Sequence, residues 1–281
     1  MPLRKARITS ASRDSLENAT CSNSHSDRTD RPIPDLAMQS PNNPIPFLLL
    51  ALFLCPAVAS GQAPIATDRP GFGDGASPVT AGTAQVELGG AVANDDLQTN
   101  VEVGQVLLRY GIGNVFELRG GIGSVALDAP DTEYTGTSIG GKLRLLHTPL
   151  STLSVVSTWD LPTGTGVFDA QNVAQTLKLA YDGALGEDLG LSINAGASAP
   201  YVDGADLSYL FTPTLSFDIA DRVGGYVGYA GFYTDGPNTN YVEAGATLLS
   251  SPSTQLDVNT GFQIDESRDA FFVGLGLAHR F

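Results

Sequence analysis

The stretch Phe271-Phe272-Val273-Gly274-Leu275-Gly276-Leu277-Ala278-His279-Arg280-Phe281 decides how the rest of the chain is read. Phe271, Val273, Leu275 and Leu277 share one parity, while Phe272, Gly274, Gly276 and Ala278 share the other. Successive side chains of a strand point to opposite faces, so this is a strand with one apolar face and one face of mostly small residues. Taken alone, it fits the last strand of a β-sandwich as well as the last strand of a barrel.

The same alternation recurs upstream and favours the barrel. Candidate strands run over 84–93, 101–110, 115–126, 137–146, 152–161, 173–181, 189–199, 207–217, 223–233, 241–249, 255–263 and 270–281. Most have the nine to eleven residues that a tilted membrane strand needs. The connections 111–114, 147–151, 182–188, 218–222 and 250–254 are mostly shorter than 94–100, 127–136, 162–172, 200–206, 234–240 and 264–269, and the two sets alternate. Short turns on one side, longer loops on the other and an even strand count predict an all-β, up-and-down antiparallel transmembrane barrel of about twelve strands. Tyr110, Phe116, Tyr181, Tyr201, Phe217, Tyr233, Tyr241, Phe262 and Phe281 fall near strand ends, where interfacial girdles would sit. In this setting Gly276, His279 and the final Phe281 fit the assembly signal of an outer-membrane barrel. Two strands strain the pattern. The second changes parity between Val103 and Val106, which predicts a bulge near Gly104 that keeps Glu102 off the lipid, and the eighth contains Pro213.

Ahead of the strands the chain changes character. The longest apolar run, Phe47 to Cys55, covers nine residues, whereas a spanning helix needs about 20. Followed by small residues through Gly61, it reads as a signal peptide over 38–61 that directs the chain to the bacterial outer membrane. Residues 1–37 read as a misplaced translation start or a disordered extension. Both cysteines, Cys21 and Cys55, precede residue 62, so the remainder offers no disulfide and no cysteine zinc site. It holds 9 basic and 25 acidic residues, which excludes a nucleic-acid ligand because phosphates require a basic face. Residues 62–82 are rich in turn formers and predict an irregular arm preceding a barrel at 83–281.

Several motifs, taken in order, resemble one family. They are Thr67-Asp68-Arg69-Pro70, Gly82 to Gly89 (GTAQVELG), Leu108-Arg109-Tyr110-Gly111-Ile112, Phe116-Glu117-Leu118-Arg119, Gly141 to Leu146 (GKLRLL), Leu161 to Gly164 (LPTG), Leu256-Asp257-Val258 and the final strand. The family comprises outer-membrane barrels labelled as transporters or as proteins of the meta pathway of phenol degradation. The resemblance spans the chain after the leader. It implies a barrel and uptake of small organic molecules, and brings no catalytic residue with it.

If the apolar parity faces lipid, the opposite parity places Glu87, Arg109, Glu117, Arg119, Lys142, Arg144, Lys178, Glu243 and Asp257 in the lumen. A lipid-facing Arg or Lys near the midplane would cost about 2–4 kcal/mol. Bases concentrate in strands two to four and acids in strands one, ten and eleven. One reading is a transverse field that sets selectivity; the other is local pairing, such as Arg109 with Glu117 across a tight turn. The arm residues Asp68, Arg69 and Pro70 are candidates for a lumen plug, with Arg69 able to meet lumen carboxylates, the alternative being an arm free in the periplasm. Acidic loops, including Glu133, Asp169, Asp206 and Asp235, form a solvated rim or share divalent cations with lipopolysaccharide. His147 and His279 accompany no nucleophile motif, and the glycines precede no helix, so neither a lipid hydrolase nor a dinucleotide site is indicated. The expected function is passive passage of small solutes, with no cofactor, no bound metal and no catalytic residue. The expected partners are outer-membrane lipid, lipopolysaccharide, the barrel assembly machinery and the solute. A structural or adhesive barrel with a closed lumen is the main alternative.

Overall fold

The computed structural model describes residues 64–94, 99–127, 132–202, 204–236, 238–265 and 270–281. The leader and extension lie outside the described residues. The strands are β1 (Ala84–Asn94), β2 (Thr99–Ile112), β3 (Phe116–Ile122), β4 (Val125–Leu127), β5 (Thr132–Tyr134), β6 (Thr137–His147), β7 (Ser151–Leu161), β8 (Ala174–Ala184), β9 (Leu189–Pro200), β10 (Ser208–Ala220), β11 (Val223–Tyr233), β12 (Thr239–Ser251), β13 (Thr254–Gln263) and β14 (Phe271–Arg280).

β3 and β4 both pair with β2, and each then pairs with its own segment of the next strand, β6 and β5 respectively. They are therefore two parts of one wall strand interrupted at Gly123-Ser124, and β5 and β6 are two parts of the next. The wall has twelve strands. It closes where β1 pairs antiparallel with β14 from Gln85↔Arg280 to Asn94↔Phe271. Closure removes the free edges that an open sheet would leave in lipid.

The predicted bulge is present. Gly89 opposes Gln105 while Gly90 opposes Val103, leaving Gly104 as the extra residue at φ +82°. Glu102 is thereby kept in the interior, where its carboxylate accepts the Ser124 hydroxyl at 2.6 Å. Pro213 sits within β10 and keeps its register with β9, but the β10–β11 pairing skips Thr212 and Pro213 because proline has no N–H to donate.

Burial is inverted relative to a water-soluble protein. Leu118, Ile139, Leu177, Leu179, Val227, Val258 and Leu275 stand exposed on the outer face. The largest fully buried side chains are Arg109, Lys142, Gln85, Glu87 and Glu117. An apolar exterior of this extent is a lipid-facing surface, and the chain is an outer-membrane β-barrel. Most of the aromatic residues assigned to the girdles do lie outward, among them Tyr110, Phe217, Phe262 and Phe281. Tyr241 differs: it turns inward to meet Phe72 of the arm.

Candidate functional site

The arm lies inside the barrel. It enters at the short-turn end, where the Ile65 N–H donates to the Pro252 carbonyl at 2.9 Å. It leaves at the same end, where the Gly82 N–H donates to the Gly111 carbonyl at 2.9 Å. Short turns mark the periplasmic side in this architecture, so the arm rises into the lumen and returns.

Few apolar contacts hold it. Ile65, Ala76 and Val79 are its buried apolar residues. Its backbone N–H groups instead donate to wall side chains: Asp68 and Arg69 to the Glu87 carboxylate at 3.1 Å, Phe72 to Glu243 at 3.3 Å, Asp74 to Asn194 at 3.1 Å, Ala76 to Asp182 at 2.6 Å and Val79 to Glu117 at 2.8 Å. An irregular segment enclosed by a barrel has no ladder to satisfy its amides, and inward-facing carboxylates and amides take that role.

Asp68 is the anchor. Its carboxylate lies 3.4 Å from Arg109, 2.9 Å from Arg119 and 2.9 Å from Lys142, and also accepts the Gly75 N–H at 3.0 Å. Arg109 forks onto Glu117 at 2.9 and 2.8 Å and reaches Glu87 at 2.7 Å. Asp74 takes Arg119 at 2.8 Å and pairs with Lys178. Burial would raise both arm carboxyls, but the charges of Arg109, Lys142 and Arg119 outweigh it and hold Asp68 below the usual carboxylate range. For Asp74 burial is likewise outweighed, by Arg119, Lys178 and Lys142, and the carboxyl lies well below that range. On this side of the lumen the four bases Arg109, Arg119, Lys142 and Lys178 meet four carboxylates, Asp68, Asp74, Glu87 and Glu117.

The opposite side is sparser. Glu243 and Asp257 project from β12 and β13, and the facing base is Arg69, whose guanidinium lies 3.6 Å from Asp257 and donates to Gln105 at 2.8 Å. The guanidinium rests against Gly89 and Gly276, where any Cβ would collide with it. Gly276 therefore has a lumen role besides its place in the closing strand. Pro70 follows Arg69 through a cis bond, and Gly71, at φ +101°, brings the chain against Glu243. Phe72 then sets its ring 5.3–5.5 Å from Phe232, Tyr241 and Phe272.

Of the lumen residues expected from sequence, the structure gathers Glu87, Arg109, Glu117, Arg119, Lys142 and Lys178 around Asp68 and Asp74, keeps Glu243 and Asp257 on the other side, and leaves Arg144 half-buried near the β6–β7 turn with no ion pair among the described residues. Arg109 meets Glu117 as local pairing predicts, whereas Arg119 turns to the arm. Asp74, Phe72, Gln85, Asp182 and Asn194 escaped the sequence reading. Wall parity places Gln85 and Asn194 inward and could have found them; Asp182 fell in a predicted connection, and the strand in fact runs on to Ala184 and turns it inward. Asp74 and Phe72 sit in a segment without period and gave no such signal. His279 and His147 meet the hydroxyls of Thr254 and Thr152 at 2.8 and 3.0 Å. No group of three or more His, Cys, Asp or Glu is arranged to hold a metal among the described residues.

The barrel resembles solved outer-membrane proteins in fold. An outer membrane channel from Pseudomonas putida F1 superposes with a TM-score of 0.60 at 13% identity, over 76% of this chain and 99% of that one. The NanC porin superposes with a TM-score of 0.54 at 6% identity, over 69% of this chain and 98% of that one. A comparison with curated proteins finds no match. A family model described as "Putative MetA-pathway of phenol degradation" matches residues 67–281, from the first residue of the Thr67-Asp68-Arg69-Pro70 motif to the terminal Phe281. The chain, arm and barrel together, belongs to that family.

Proposed function

We propose that the protein is an outer-membrane channel that passes small solutes passively and is closed at its waist by residues 64–82. The observation that carries this reading is how the arm is held. Its contacts are mostly charge-assisted and polar, made to side chains that water and solute can also serve, and its apolar contribution is three buried residues and the Phe72 ring. A permanent core element would be fixed by buried apolar area.

Cavities of about 350 and 400 Å³ lie on the outer side of the arm, and cavities of about 470 and 590 Å³ adjoin the periplasmic turns. With the arm withdrawn, Arg119, Lys142 and Lys178 would lose Asp68 and Asp74 and face Glu243 and Asp257 across open lumen. The transverse field then belongs to the open state. Glu87, Arg109 and Glu117 keep one another in either state. Gly276, His279 and Phe281 are assigned as well to recognition by the assembly machinery, and the described acidic rim residues to contact with lipopolysaccharide. No catalytic role is assigned: the two described histidines bond threonine hydroxyls at the short-turn end.

The test is a planar-bilayer recording of the chain with and without residues 64–82. Deletion is expected to raise single-channel conductance severalfold and to shift the reversal potential toward anion preference. A conductance that is absent in both forms favours the structural barrel with a closed lumen.

A further inference from the structure

The four bases and four carboxylates around Asp68 and Asp74 balance one another, and the far side of the lumen does not balance. β11, β12 and β13 contain no Lys or Arg, and Arg280 of β14 lies at the turn end, where it donates to the Pro252 carbonyl at 3.4 Å. Glu243 and Asp257 therefore face one base, the arm's Arg69. Glu243 accepts the Phe72 N–H at 3.3 Å and has the Tyr226 hydroxyl against it. Asp257, its side chain fully buried, has no donor within hydrogen-bond distance among the described residues. The Arg69 guanidinium stands 3.6 Å from it and gives its shorter bonds to Gln105 at 2.8 Å and the Leu275 carbonyl at 3.3 Å. Cavities approach Asp257 from both ends. The outer one, of about 400 Å³, reaches Asn259, and the periplasmic one, of about 590 Å³, reaches Thr247 and Gln255. Gln255, Asp257 and Asn259 are successive inward residues of β13, so one layer of side chains parts the two cavities, with Gln255 and Asn259 about 13 Å apart along the strand.

We infer that the layer at Asp257 is a monovalent-cation site and passage, so that small cations cross the barrel beside the docked arm while solutes wait for the arm to leave. Charge decides the sign. Two carboxylates against one guanidinium leave one negative charge without a partner in an enclosed setting, where an uncompensated charge is costly. A single excess charge matches a monovalent ion. The donors at hand are carboxylate oxygens, with the Thr247 hydroxyl on the periplasmic side, and such hard oxygens replace the hydration shell of an alkali cation. The flanking cavities carry the same sign: Glu102 stands at the outer one, and Asp188, Asp218 and Asp221 outnumber Arg222 at the periplasmic one. A file of carboxylates raises the local cation concentration and repels anions. On the basic side every described base of the closed set already has a carboxylate, so no matching anion route runs there. The inference goes beyond the channel reading, since it concerns what passes while the arm is in place.

The experiment records the small steady current of the refolded chain in planar bilayers at neutral pH under a potassium chloride gradient. Potassium is expected to pass in preference to chloride by about tenfold, and tetraethylammonium, too large for the layer, to carry no current. Asp257→Asn and Glu243→Gln should each bring the preference down toward equality. Thr247→Lys, which sets a base beside Asp257, should block the current. Heat-modifiable gel mobility identifies variants that have folded, and hydrogen exchange at the Val79 amide identifies those whose arm is still docked. Equal passage of potassium and chloride in the parent chain, or a preference that survives both carboxylate substitutions with the arm docked, overturns the passage. A chain that carries no current until residues 64–82 are removed overturns it as well and leaves the channel reading standing. A potassium current that does not grow when those residues are removed overturns closure by the arm and leaves the passage standing.

Discussion

The two halves of the lumen hold the same arm by different means. On the side of β1, β2, β3, β6 and β8, the arm's Asp68 and Asp74 complete a closed set of four bases and four carboxylates, each pair within a few ångströms. On the side of β11 to β14, Arg69 meets Asp257 at 3.6 Å, Glu243 takes the Phe72 N–H at 3.3 Å, and the Phe72 ring packs against Phe232, Tyr241 and Phe272. Removing one partner from a buried charge set leaves the others uncompensated, whereas removing one from a loose pair changes little. The arm is therefore bolted on the basic side and rests on the acidic side, and release should begin at Gly71 and Phe72.

Acid gives the largest break in this contrast, because it removes both arm anions together. Asp68 and Asp74 face Arg109, Arg119, Lys142 and Lys178, with Glu87 and Glu117 beside them, and their carboxyls are depressed. Depressed carboxyls contribute docking stability that is fully present above the ordinary pKa of about 3.9 and is lost as pH falls through the lower folded value. The arm should stay protected from pepsin at about pH 4 and become cleavable only further down, while the barrel remains folded. Release between neutral pH and about pH 4 would contradict the anchoring role of these two groups.

Asp68→Asn comes next, since it strips Arg109, Arg119 and Lys142 of a shared partner. Arm docking should weaken by about 3–5 kcal/mol, read from hydrogen exchange at the Ala76 and Val79 amides and from more frequent openings in bilayer recordings. Gly71→Ala should cost about 1–2 kcal/mol through the positive φ, and its new Cβ would stand 3.0 Å from the Glu243 carboxylate. The smallest effect is expected of Arg69→Gln, about 1 kcal/mol, because its ion pair is long and a glutamine keeps an amide donor beside Gln105. Both of these substitutions should speed exchange at the Phe72 amide and spare Val79. Equal responses at the two amides would mean that the halves are held alike.

The wall was legible in the sequence almost residue by residue. The break in parity between Val103 and Val106 located the Gly104 bulge, and the alternation of turn lengths gave twelve strands, a result that survives the interruptions at Gly123-Ser124 and Thr135-Gly136. The site was legible in part. Inward parity found Arg109, Glu117, Lys142, Glu243 and Asp257, and the turn-rich composition of 62–82 announced an arm. Asp74 and Phe72 could not be found that way, since an irregular segment has no period to say which way a side chain points. Tyr241 was misplaced for a different reason: its position near a strand end suits a girdle, but it shares the parity of Glu243 two residues on, and that parity turns it into the lumen to meet Phe72.

What the sequence determined by itself was whatever depends on neighbours along the chain: strand, turn, the side of the wall each residue faces, and therefore a closed barrel with its charges inward. What the tertiary structure decided was partnership. Asp68 and Lys142 are 74 positions apart, and Phe72 and Glu243 are 171. Whether such groups meet depends on the width of the closed barrel and on the path of a segment that obeys no repeat. Coulomb attraction and unsatisfied amides settle that path once the walls stand around it.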